Sequence, residues 1–520
     1  MDNPLKHIVI LGGGSAGWLT AGRLAAQMQQ REQQLQISLI ESPTLSTIGV
    51  GEGSWPSLRH TLRQIGISEL TFLVRCQASF KQGSKFIGWR NETATGHYYH
   101  PFTNPVGYTE INGYQHWQSS AQAMPFADVF CPQPAVCEAG RAPKQLATPE
   151  YAQVVNYGYH FDADKLAELL TEHCTQQLGV NHIRDHIEQV ECHPNGDIRA
   201  LIGQQNGPIT ADFFIDCSGM ASRLIGQHYA IPWQAVTQVL PSDSAIAVQV
   251  PYAQNDSPIQ STTNASAKPN GWIWDIGLYH RRGVGFAYAS GFCDKAQAEH
   301  TLLDHLRQQL SEEQVATLTP RHLKFTPGYR KKCWQNNCLA IGMSAGFIEP
   351  LEASAIAMVE LSINMLCEEF PQTRRHMDIL SQRFNKRFDY RWQRVIDFVK
   401  LHYVLNKRQD SEFWSWQRQP ESIPDSLQTL LALWQFQTPS RLDFIENEEV
   451  FTSASYQYVL YGMGAHSQQI KDNNFYQSQP RANTLMQQTQ NMKQQLLQGL
   501  PENRSLLSAI RQKMTTEVVS

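Results

Sequence analysis

Apolar residues first gather at 7–11 (HIVIL), a β-branched run that reads as a short buried strand. From 15 to about 31, small Ala and Gly residues fall on one side and Gln-rich polarity on the other, which predicts a helix. Residues 35–40 form a second apolar strand, closed by Glu41. Alternation returns at 77–90 (QASFKQGSKFIGWR) and predicts a strand with Lys81 and Lys85 on one face and Phe80 and Phe86 on the other. Residues 156–170 read as a turn into a helix, with Asp162 as its cap and Leu166, Leu169 and Leu170 on its apolar face. A buried strand with a glycine turn is expected at 212–219 (DFFIDCSG), and Trp272 and Trp274 mark one face of a further strand. Residues 338–366 read as strand, glycine turn and helix; 370–405, 424–435 and 483–500 read as helices. The turn-rich stretch 103–150 predicts a long excursion covering a pocket.

The first of these runs carries the clearest chemistry. Gly12, Gly14 and Gly17 make G-x-G-x-x-G between the first strand and the helix that opens at Ser15, Ala16 and Gly17. The first glycine permits the turn, the second lets backbone approach a pyrophosphate, and the third lets helix pack on sheet. The helix N-terminus turns unpaired N–H groups toward the phosphates. Glu41 then stands where an acid accepts from a ribose hydroxyl. Strand, turn, helix, strand and acid together predict a dinucleotide site. A second glycine-rich loop, Thr47 to Gly53, can lay backbone along a flat ligand at close range.

Length and composition narrow the class. With 520 residues, 41% hydrophobic and 10% aromatic, the chain can bury a large core. A net charge of -4 offers no chain-wide basic field for nucleic acid. Ten scattered cysteines without a C-x-x-C read as reduced thiols, so a cytoplasmic location is expected. No apolar run approaches membrane-spanning length, and no membrane partner is expected.

Several runs are similar to flavin-dependent halogenases, the family that includes the tryptophan halogenases. Ile48, Gly49, Val50, Gly51 and Glu52, followed by Pro56, resemble that family's flavin-contacting strap. F-K-x-x-x-K-F places the family's essential lysine at Lys81 and leaves Lys85 structural. His100, Pro101 and Phe102 resemble the aromatic wall of the substrate pocket. Asp216 and Gly219 fall where flavoproteins of this fold return to FAD, and Gly342 stands in a turn of small residues that allows close approach of the ligand. Gly271, Trp272, Trp274 and Ile276 match the G-W-x-W-x-I-P signature, with Gly277 replacing the final Pro. The run from Phe347 to Ala355 resembles F-x-E-P-L-E-S-T-G, which aligns Glu352 with the catalytic glutamate. The halide-binding amides then fall on Ser354 and Ala355, with Ala353 and Ala355 departing from Ser and Gly.

The resemblance implies an α/β fold: a Rossmann-like FAD-binding module (1–95 and 155–368) fused to a mainly helical substrate module (96–154 and 369–520). It implies FAD, used as FADH2 with O2, and a halide ion, chloride or bromide. Hypohalous acid would be relayed to Lys81, and Glu352 would orient it, stabilise the arenium ion or take its proton. The partners implied are a separate NAD(P)H-dependent flavin reductase and an electron-rich aromatic, small or borne on a larger molecule; a homodimer is compatible with this reading. Two other readings share the opening motif: a flavin-dependent aromatic monooxygenase and a non-catalytic FAD-binding protein. Neither gives a reason for Lys81 with Glu352.

The expected substrate departs from the family name. Tryptophan halogenases hold the zwitterion with a C-terminal aromatic segment containing a glutamate. Here 451–476 has Tyr456, Tyr458 and Tyr461, then Gly462, Met463 and Gly464; no Glu follows before Glu502 and no Trp after Trp434. An unpaired buried ammonium is costly. A neutral indole or phenol is therefore expected over free tryptophan, unless His100 or Glu110 supplies the partner.

Overall fold

The computed structural model describes residues 4–44, 51–92, 96–120, 123–468 and 471–519. The chain forms two compact units, each assembled from three separate stretches. The first comprises Met1–Ala78, Phe161–Ala235 and Thr326–Trp392; the second comprises Ser79–His160, Val236–Phe325 and Gln393–Ser520.

The first unit is built on a six-stranded sheet ordered Trp334–Gln335, Cys338–Ala340, Phe213–Asp216, His7–Leu11, Gln36–Glu41 and Asn181–Arg184. All pairings are parallel except the hairpin at 334–340. The expected strand–helix–strand opening is present: the Ser15–Gln30 helix connects His7–Leu11 to Gln36–Glu41 as neighbouring parallel strands. Such strands are buried on both faces, which is why they read as unbroken apolar runs. Val9, Leu11, Ile40, Phe214 and Cys338 pack with Ile198, Leu201 and Ile209, from a three-stranded antiparallel layer at 187–210. The Ala163–Gln176 helix is capped by the Asp162 carboxylate, as expected, which accepts from the amides of Asp164 and Lys165.

The second unit carries a seven-stranded sheet beside its helices, ordered Arg321–Lys324, Ser244–Pro251, Arg281–Tyr288, Gly271–Gly277, Thr263–Lys268, Gly83–Ile87 and His97–Pro101. Only Gly83–Ile87 and Thr263–Lys268 pair in parallel. Ala298, Leu302 and Leu306 of the Lys295–Arg307 helix cover Ile246, Ile273, Val284 and Phe286. The helix expected at 370–405 is Arg374–Val404, and the one expected at 483–500 begins earlier, at Asn473.

One detail differs from the sequence expectation. The 77–90 run is two strands, Ser79–Lys81 and Gly83–Ile87, pairing with different partners. The break is Gly83, at φ 149°, where a Cβ would lie 2.5 Å from the His100 carbonyl oxygen. Gly83–Ile87 and His97–Pro101 are hydrogen-bonded antiparallel neighbours.

Candidate functional site

In the first unit the glycine turn is held from both sides. The Gly12 amide donates to the Ile40 carbonyl (2.8 Å) and the Cys217 amide to the Leu11 carbonyl (2.8 Å). Gly12 sits at φ 124°, and a Cβ there would lie 2.1 Å from the Cys217 oxygen; one at Gly17 would lie 1.9 Å from the Gly12 oxygen. Gly14 differs: nothing lies within 4 Å of its Cβ position. It caps the Ser15–Gln30 helix without a side-chain bond, so the amides of Ser15, Ala16 and Gly17 have no intrahelical acceptor. A cradle that is closed beneath and open above fits a pyrophosphate. Gly342, at φ 79°, closes on the same helix; a Cβ there would be 2.9 Å from that of Ala16.

Glu41 packs across Gly13, and its Oε2 accepts from His182 Nε2 (2.8 Å). The His182 ring meets Trp18 edge-on at 5.0 Å. Asp216 ends its strand fully buried. Its buried carboxylate is spent on the chain itself, accepting from Ser218 N and Oγ and from the amides of Leu224 and Ile225. It braces the loop on which Gly219 (φ 66°) stands with open space above it. Of the strap, Ile48, Gly49 and Val50 lie outside the described residues. Gly51 is at φ 92°, and the Glu52 carboxyl is pushed up to about 7 by burial, then by Asp164 and Asp162.

Glu352, 4% exposed, lies in the turn before the Ser354–Glu368 helix. The N-cap is Ala353, not Glu352, and it supplies no side-chain acceptor to the first-turn amides. Ala355 lies inside that first turn, so the helix itself supplies dihedrals an alanine accepts, and glycine is not required there. The unusual residue is Ala353, at φ 52° and ψ 39°. The Trp55 indole N–H donates to the Glu352 carbonyl (2.8 Å). Eight residues along, Glu360 accepts from Ser57 Oγ (2.7 Å) and Thr61 Oγ1 (2.5 Å); burial pushes its carboxyl up to about 7.

In the second unit, Lys81 is 1% exposed and its ammonium lies 5.5 Å from the centroid of Phe102. Lys85 instead pairs with Glu138 (2.6 Å), which also takes the Tyr99 hydroxyl. The pairing of Ser79–Lys81 with 158–160 sets His160 opposite Ser79, on the face that Lys81 shares. Burial, then the charge of Lys81, holds His160 well below its usual range, so it is neutral. The His100 ring packs among Phe398 (5.4 Å), Phe451 (6.4 Å) and Tyr458 (6.5 Å), and Pro101 beside it is buried. Trp272 and Trp274 are core residues: Trp272 meets Trp89 at 6.4 Å, and Trp274 fills the space over Gly285. Gly277 continues the strand, paired with Arg282, and its carbonyl accepts from the Ser79 hydroxyl.

The family model described as Tryptophan halogenase matches residues 7–477. The chain belongs to the tryptophan halogenase family. A crystal structure of a tryptophan halogenase from Shewanella frigidimarina NCIMB 400 superposes with a TM-score of 0.94 at 47% identity, over 98% of each chain. Tryptophan 6-halogenase SttH of Streptomyces toxytricini is 30% identical over 89% of this chain and 90% of its own length. Tryptophan 7-halogenase RebH of Lentzea aerocolonigenes is 31% identical over 80% and 79%. The protein is thus a flavin-dependent halogenase acting on aromatics, with the Rossmann-like α/β fold of its family, and that family implies FAD and a halide. Among the described residues of this halogenase no helix is long and apolar enough to cross a membrane.

Sequence reasoning did not single out His182, Trp55 or Glu360. Their partners lie 141, 297 and about 300 residues away, and only tertiary pairing reveals them. His160 lies in the stretch read as a turn into a helix at 156–170, but nothing in the spacing joined it to Lys81.

Proposed function

We propose that this halogenase transfers a halogen from hypohalous acid to an electron-rich aromatic through Lys81 and Glu352. The observation that carries the reading is the Lys81 ammonium, removed from water and set against the Phe102 ring. The first unit serves as the FAD module, using the amides of Ser15, Ala16 and Gly17, the Glu41 carboxylate, the strap through Gly51 and Glu52, and the Gly219 and Gly342 turns. FAD, when bound in its reduced form, supplies with O2 the oxidising equivalent that converts halide to hypohalous acid. The first-turn amides of Ser354 and Ala355 hold the halide. Lys81 donates a hydrogen bond to the oxygen of hypohalous acid and polarises the oxygen–halogen bond. The aromatic carbon attacks the halogen as that bond breaks, and the departing oxygen takes a proton from the Lys81 ammonium and leaves as water. Glu352 stabilises the cationic ring and removes the proton from the substituted carbon. His160, being neutral, adds no second charge beside Lys81. A separate flavin reductase supplies reduced FAD.

The substrate is a neutral indole or phenol, or such a group on a larger molecule, rather than free tryptophan. Two observations support this departure from the relatives' names. Glu110 is already tied to Arg481, and His100 is packed among aromatic rings. Tyr456, Tyr458 and Tyr461 are buried, with the Tyr458 hydroxyl donating to the Thr103 carbonyl and Tyr461 stacked on Tyr114 at 3.8 Å. With reduced FAD and halide supplied, Lys81→Ala should abolish halogenation, read by mass spectrometry, yet leave FAD binding and O2 consumption intact. Normal halogenation by this variant would overturn the mechanism. Equal indole and tryptophan in competition should give halogenated indole; preference for tryptophan would overturn the substrate assignment alone.

A further inference from the structure

The turn that carries Glu352 is a backbone anomaly. Ala353 occupies the left-handed region, where an L-residue's Cβ crowds the following carbonyl. Such a conformation persists only where the surroundings over-determine it. The surroundings here can be named. The Ala353 amide donates to the Pro350 carbonyl (3.1 Å), closing the turn from within. From outside, the Trp55 indole takes the Glu352 carbonyl, whose peptide is the one that Ala353 twists. Two residues on, the Ser57–Ile65 helix begins. Ser57 and Thr61 are four apart and therefore share one face of it. Each gives its hydroxyl to a different oxygen of Glu360, which is 2% exposed. Residues 55–61 thus grip the 352–360 segment twice, once before the helix starts and once in its second turn. Two grips fix both the position of the helix end and its rotation.

We infer that Trp55, Ser57, Thr61 and Glu360 are positioning residues: they clip the Glu352–Ala353 peptide into its left-handed turn and so place the Glu352 carboxylate and the amides of Ser354 and Ala355. The inference rests on the roles proposed above for Glu352 and those amides. The segment that does the clipping directly follows the strap, so one continuous stretch of chain runs from the flavin strap to the residues that grip the halide-binding turn. Strap residues Gly51 and Glu52 stand only a few positions before Trp55.

The test is Trp55→Phe, which keeps the ring and removes the N–H. The expected result is a fall of about tenfold in kcat/KM for halide, the size of effect a small misplacement of reacting groups produces. FAD affinity should be unchanged, and amide hydrogen exchange at 353–356 should be faster. The double variant W55F/A353G should recover kcat/KM, because glycine adopts the left-handed turn without help; a merely structural loss at Trp55 would not be rescued there. Wild-type exchange and kcat/KM in W55F, or a defect that A353G leaves untouched, would overturn the clip. Glu352→Gln, run in parallel, separates the two claims. If it halogenates normally while W55F still loosens 353–356, the clip stands and the role of Glu352 falls.

Discussion

Two helix N-termini of the first unit, at Ser15 and Ser354, are open for opposite reasons. Both lack a side-chain cap, whereas the Ala163–Gln176 helix of the same unit has its amides taken by Asp162. At the first, Gly14 lies in relaxed extended backbone (φ -81°, ψ -178°) and the openness comes from missing side-chain atoms. At the second, Ala353 lies in a strained conformation and the openness is held in place by partners far along the chain. One end is preorganised by composition, the other by tertiary bonds. A local device can be removed only by adding atoms; a tertiary one can be dismantled from a distance.

The largest break in this comparison should come from Gly17→Ala. The added Cβ would meet the Gly12 oxygen at 1.9 Å, and backbone cannot yield as a side chain does. A loss of about 3 kcal/mol, at the upper end of overpacking costs, is expected in urea denaturation, together with loss of FAD binding.

The next effect has the opposite sign. The folded Glu360 carboxyl titrates at about 7, above its ordinary 4.5, because burial disfavours its charge. Its favourable contribution is complete below pH 4.5 and is lost as the pH rises through 7. Glu360→Gln does not ionise, so its stability advantage over the parent should grow from pH 5 to pH 8, to at most about 3 kcal/mol. Thermal unfolding across that range checks it; a constant difference would mean that the carboxyl stays charged at little cost. Glu52, raised by the same cause, persists in both proteins and cancels.

The smallest effect on stability sharpens the contrast most. Gly14→Ala adds a methyl group to open space in an extended conformation, so unfolding should shift by only about 0.5 kcal/mol. FAD affinity should nevertheless fall, because that space is where a pyrophosphate would approach. Equilibrium flavin titration beside a thermal melt separates the two quantities.

The same contrast explains what the sequence revealed. The opening strand, turn and helix were legible because every cause lies within a few dozen residues: glycine spacing, apolar runs and a terminal acid. The Glu352 turn was legible as a motif but not as a geometry. Reading 338–366 as strand, glycine turn and helix missed the left-handed residue between Glu352 and Ser354, and nothing local points to Trp55. Lys81 was singled out by the resemblance of F-K-x-x-x-K-F to the family's run, yet the single strand drawn through it failed. Alternation of side chains cannot show that Gly83 turns the backbone onto a new partner.

The order of the six-stranded sheet also sets a timetable for synthesis. His7–Leu11 lies between Gln36–Glu41, which follows at once, and Phe213–Asp216, which leaves the ribosome roughly 200 residues later. At ordinary translation speeds of ~5–20 residues per second, that edge waits on the order of 10–40 s for its neighbour. For that interval an apolar strand edge is exposed to other nascent chains. Yield in a foreign host should therefore respond more to chaperone supply and slower, cooler expression than to changes on the finished surface.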